Sequence, residues 1–182
     1  MIEECTSRYA RFETHHFCRG QIEKLPFRDS CFDIVLCLGA LEYIYDAGAA
    51  IREMSRTVKK NGIVIVSMLN KISPYRVWER IVYAFVWNWI KTFMGLSNGI
   101  KDKKTCLKPE LWMISEKSLS HLMTSGGLDV KDVVYYGFNL LPTPLDSKLA
   151  KKSVQLSQKL EVLYRSKLKM IGTGFLMKCV RT

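Results

Sequence analysis

The residues of this 182-residue chain whose types and spacing could do chemistry gather in one stretch, Phe32-Asp-Ile-Val-Leu-Cys-Leu-Gly-Ala-Leu-Glu-Tyr-Ile44. Its first half is an apolar run bounded by Asp29-Ser30-Cys31 and Gly39-Ala40, too short for a helix and typical of a strand buried on both faces of a parallel sheet. In open α/β sheets ligands sit beyond the carboxyl ends of the strands, the end that Leu38 and Gly39 occupy here. Glu42 and Tyr43 are the polar groups just beyond. No Ser-His-Asp arrangement, phosphate-binding glycine loop or zinc spacing competes with this stretch. His15 and His16 are adjacent, so on a strand they face opposite sides and do not share a metal ion.

The surrounding elements follow the order of an open sheet. Gly20 to Ser30 is a loop, because Pro26 excludes helix and biases Leu25 to an extended conformation. Upstream, Ile2 and Cys5 suit an amphipathic helical segment within residues 1–11, and residues 15–19 read as a short strand. Downstream, Asp46 is the expected N-cap of a helix that Gly62 would stop, with Ala47, Ala50, Met54 and Val58 as its buried stripe and Lys59 and Lys60 at its negative end. Ile63-Val-Ile-Val66 is then a second buried strand, which completes a βαβ unit.

The series G-Q-I-E-K-L-P-F (20–27), D-S-C-F-D-I-V-L-C-L-G-A-L-E-Y-I (29–44) and R-T-V-K-K-N-G before I-V-I-V-S (56–67) resembles the middle of a class I S-adenosylmethionine-dependent methyltransferase of the type 11 kind. The resemblance implies an α/β, doubly wound, mostly parallel Rossmann-like sheet and S-adenosylmethionine as cofactor. It implies that Gln21 and Ile22 border the adenine ring, with Gln21 where relatives often carry Asp or Asn to accept from the adenine amino group. Leu38, where relatives often carry Ser or Asn, would lie beside the methionyl portion, with Gly39 and Leu41 along the same wall. Tyr43 stands where a His is common. The family's glycine-rich loop and its ribose-binding acidic residue have no counterpart, so the chain reads as a member lacking its first third. The strand at Ile34 to Cys37 would then keep an open edge that invites pairing with another chain. The catalytic residue stays unknown, because methyl transfer from a sulfonium needs alignment and water exclusion more than covalent help.

The remainder departs from a minimal domain of this kind. The chain as a whole is expected to form a single domain, with residues 70–112 as a helical insertion or cap. Ser73 as N-cap and Pro74 open a helix on which Trp78, Val82, Phe85 and Trp89 share a face, and Gly95 and Gly99 end it. Two further strands, within 130–139 and at 174–180, flank a basic helix over 145–169, and a short helix with Leu119, Leu122 and Met123 as its stripe precedes them, leaving His121 off the stripe.

Composition narrows the partners. The net charge is +11, and residues 59–108 carry ten Lys and Arg against two acidic residues, while residues 145–182 carry nine against two. Such segments concentrate anionic partners, among them lipid headgroups. The acceptor expected is a small molecule or a lipid-linked one, with peripheral contact to an anionic membrane as a further expectation. Nucleic acid ranks last, since no recognition motif accompanies the aromatics. No signal-peptide pattern opens the sequence, and six scattered cysteines suit free thiols, so a cytoplasmic location is expected. The rival reading is an accessory protein that keeps the fold and works through a partner chain.

Overall fold

The computed structural model describes residues 2–8, 16–93, 114–138, 150–160, 162 and 169–182. The elements are α1 (Ile2–Arg8), β1 (Phe32–Cys37), α2 (Ala47–Thr57), β2 (Val58–Leu69), α3 (Pro74–Phe93), α4 (Glu116–Ser125), β3 (Leu128–Tyr136), α5 (Ala150–Leu160) and β4 (Gly174–Arg181). The strands form one sheet in the order β1-β2-β4-β3. β1 and β2 run parallel, joined by α2 as crossover, whereas β4 runs antiparallel to both β2 and β3. The expectation that Gly95 and Gly99 end the helix falls on residues outside those described.

Alternation along each strand builds the core on one face of the sheet. Cys37, Val64, Val66, Met68, Tyr135, Phe175, Met177 and Cys179 are buried there under Ala50, Ile51 and Met54 of α2 and Leu119 and Met123 of α4. Asp46 caps α2 as its sequence suggests, its carboxylate accepting from the Ala49 N–H at 2.8 Å. Ser115 caps α4 in the same way, and His121 is exposed.

Three local readings change. α2 ends at Thr57, five residues before Gly62, because Val58 turns extended and enters β2. Gly62 is needed for closeness instead: a Cβ there would meet Val58 Cγ2 at 2.7 Å and the Asp33 carbonyl oxygen at 2.9 Å. Lys59 and Lys60 therefore lie on a strand and not at a helix end, and Lys59 Nζ pairs with Asp33 at 2.8 Å. Ser73 opens α3 through its backbone, its carbonyl accepting from the Val77 N–H, while its hydroxyl is turned to the Ile171 carbonyl. Residues 16–19, the described part of the strand expected at 15–19, lie outside the four strands of the sheet.

That last difference bears on the sheet edge. Among the described residues β1 has β2 as its one partner. On the face away from α2, Ile34 and Leu36 remain 56% and 60% exposed although they stand beside Ile63 and Ile65 of β2. The four-stranded sheet thus presents apolar side chains and unpaired strand backbone along the same margin.

Candidate functional site at the carboxyl ends of β1 and β2

A salt-bridged clamp holds the loop before β1. Glu53 on α2 accepts from the Leu25 N–H at 2.8 Å, and Arg56, one turn on, donates to the carbonyls of Leu25 and Phe27 and pairs with Asp29 and Glu53. Arg56 and Glu53 thereby fix the Leu-Pro-Phe segment, whose Phe27 ring meets Phe32 edge-on at 4.9 Å. Their hydrogen bonding holds the Glu53 carboxyl down at about 2 against burial, which pushes it up. A depressed carboxylate contributes stability above its ordinary pKa of 4.5 and loses it as pH falls through the folded value. The urea midpoint should therefore drop between pH 4.5 and 2. In Glu53→Gln that drop should be shallower, which midpoints measured across this range will show.

Past β1 the chain turns sharply. Gly39 has φ +62°, a left-handed backbone that side chains resist, and its N–H donates to Ser67 Oγ on β2 at 2.7 Å. This bond ties the turn to the neighbouring strand, and the short 3-10 turn Leu41–Tyr43 follows it. Leu38 and Tyr43 are exposed, whereas Leu41 is fully buried in the core, so its side chain supports the wall from behind. Glu42 is 6% exposed, with Oε2 buried and without a hydrogen-bond partner. A buried orphan oxygen costs stability, so its retention asks for a reason. Burial raises the pKa of the neighbouring Cys37 thiol, and the Glu42 charge adds to that; burial likewise pushes Cys179 up to about 11. Cys18, Cys31, Cys37 and Cys179 are free.

The structure brings Leu38, Gly39, Leu41 and Tyr43 together on one turn. Gln21 and Ile22 stand on the separate clamped loop, Gln21 exposed and Ile22 packed half-buried against the core cluster. Ser67 and the clamp residues were not singled out from the sequence, and nothing local marks them, since Ser67 lies 28 residues from its partner Gly39. Asn70 closes the end of β2. Its amide donates to the Met170 and Gly172 carbonyls, each at 2.8 Å, and accepts from the Ile72 N–H, which anchors the base of α3 to the turn before β4.

A parallel β-α-β pair with a left-handed glycine turn at its carboxyl end, extended by an antiparallel strand pair, shares its fold with solved SAM-dependent methyltransferases over the part that this chain spans. The family described as "methyltransferase domain" matches residues 1–66. Among solved structures, a Thermotoga maritima SAM-dependent methyltransferase, described as a possible histamine N-methyltransferase, superposes with TM-score 0.60 at 19% identity, covering 100% of this chain and 71% of that one. Among curated proteins, the ubiquinone biosynthesis O-methyltransferase of Rickettsia prowazekii is 23% identical over 149 residues, 82% of this chain and 50% of its own length. Escherichia coli YafE, an uncharacterized protein, is 35% identical over 68 residues, 36% of this chain and 33% of its own. The chain thus spans a third to a half of the length of these curated relatives.

Proposed function

We propose that this chain takes part in S-adenosylmethionine-dependent methyl transfer to a small-molecule or lipid-linked acceptor. The observation that carries this reading is the Gly39–Tyr43 turn, pinned to Ser67 and open at Leu38 and Tyr43 beyond the carboxyl ends of a parallel strand pair. The residues suit the cofactor on its adenine and methionyl sides. The exposed amide of Gln21 can accept from the adenine amino group, Ile22 offers an apolar wall, and the backbone at Leu38 and Gly39 borders the methionyl portion. Leu41 holds that wall in place, and Tyr43 presents a hydroxyl beside the opening. When bound, the cofactor supplies a methyl group already activated on a sulfonium. The chain's task is then to align the acceptor and exclude water. Several relatives are ubiquinone biosynthesis O-methyltransferases, which favours oxygen as the atom methylated.

Titration of S-adenosylhomocysteine into the full chain by calorimetry tests this. The described residues offer the adenine and methionyl sides but no ribose carboxylate at a second strand end, so saturable binding near millimolar, about −4 kcal/mol, is expected. It should vanish in Gly39→Val, which forces a side chain into the left-handed turn. Absence of saturable binding, or binding that Gly39→Val leaves unchanged, overturns the assignment.

A further inference from the structure

α3 has no place in the site just described, and its exposed face runs against ordinary burial. Val77, Trp78, Ile81, Phe85 and Trp89 recur at three- and four-residue steps, which puts them on one side of the helix, and all five are exposed. Phe85 is 78% and Trp89 65% open to solvent. Val82, at the edge of this stripe, and Tyr75 and Arg76, beyond it, are half-buried. A stripe of large apolar side chains facing outward along a 20-residue helix marks an interaction surface.

Charge decides the occupant. Arg80 is exposed at the margin of the stripe, Lys71 is exposed just before the helix, and in sequence the stretch 59–108 holds ten basic against two acidic side chains. A second copy of this chain laid face to face would bring two such positive segments together. An anionic lipid surface instead complements them. No helix among the described residues is long and apolar enough to cross a membrane, so α3 would lie in the interfacial plane. Tryptophan and phenylalanine suit that depth, with basic groups at the headgroups. We propose that α3 docks this protein on anionic phospholipid membranes through Val77, Trp78, Ile81, Phe85 and Trp89. Because only four residues separate the end of β2 from the start of α3, docking holds the carboxyl edge of the sheet toward the lipid. The proposal does not depend on the methyl-transfer reading.

Sedimentation of the full chain with vesicles of phosphatidylcholine alone, and of phosphatidylcholine with about a third phosphatidylglycerol, tests it. Binding to the anionic vesicles at low salt is expected, falling at least about tenfold when salt rises to roughly 0.5 M, where the Debye length shrinks below 5 Å. Trp78→Ser/Phe85→Ser should lose binding by at least about tenfold with an unchanged circular dichroism spectrum, because both side chains are exposed. Phe85→Ser alone should show an intermediate loss, and Lys71→Glu/Arg80→Glu should weaken anionic binding selectively. Four outcomes overturn the proposal: equal binding to both vesicles, no binding at low salt, binding untouched by Trp78→Ser/Phe85→Ser, or concentration-dependent dimerisation in sedimentation velocity that this double variant abolishes.

Discussion

Phe175→Ala is expected to cost about 3–5 kcal/mol of folding stability, a large share of what a domain of this size possesses. Phe175 is fully buried on β4, the strand that bonds to both β2 and β3, and its ring lies 5.6 Å from that of Tyr135 across the β3–β4 pair. Removing the ring deletes its apolar burial and leaves a cavity that two paired strands cannot collapse into without breaking register. Tyr135 is held besides by its hydroxyl donating to Glu116 at 2.6 Å, so it cannot swing over to fill the gap. Urea unfolding followed by circular dichroism measures the loss. A change below about 1 kcal/mol would mean that β4 is not the keystone of this sheet. An exposed position such as Val154 on α5 should stay within about 0.5 kcal/mol when replaced by alanine.

Glu42→Met should shift stability the other way. The wild-type side chain buries a carboxylate oxygen with no hydrogen-bond partner, beneath the turn that Gly39 opens. An unsatisfied buried polar group costs about 1–3 kcal/mol, and an apolar residue of similar length recovers part of it. The urea midpoint should therefore rise in Glu42→Met. At the same time the affinity for S-adenosylhomocysteine should fall at least about tenfold, as when a destabilising polar group is kept for its work at a site. Gln at this position should restore little stability, since its amide remains as hard to satisfy. If Glu42→Met instead lowers the midpoint, the carboxylate has a stabilising role that the turn does not display. If stability rises while affinity stays constant, Glu42 takes no part in cofactor binding.

How much of this was legible beforehand can be argued from particular residues. The run Ile34 to Cys37 announced β1, Asp46 announced the start of α2, and Ile63 to Val66 announced β2, because each signal is local: a run of β-branched residues or a capping carboxylate. The turn at Leu38 to Tyr43 followed from the strand that ends there. The end of α2 was misplaced because a glycine in sequence does not say whether it is wanted for left-handed backbone or for closeness. Gly62 is there because Val58 and Asp33 crowd it, which exists only once β1 and β2 lie side by side. Residues 15–19 read as a strand in sequence, yet a strand is a relation between two segments, and the described residues 16–19 lie outside the four strands of the sheet.

The order of β1, α2 and β2 and the end of β1 at Gly39 were legible in the sequence, since they rest on periodicity and on conformational preferences that act within a few residues. Contacts between distant segments were not legible there. The hydroxyl of Ser67 holds Gly39, Glu53 and Arg56 clamp the loop ahead of β1, and Asn70 reaches a turn a hundred residues away. The tertiary structure also decided which way α3 faces: helical spacing grouped Trp78, Phe85 and Trp89, but a stripe looks the same in sequence whether it is covered or open. The physical reason is common to all of these. Hydrogen-bond partners and buried faces are set by which surfaces meet, and that is a property of the folded chain, not of any one segment.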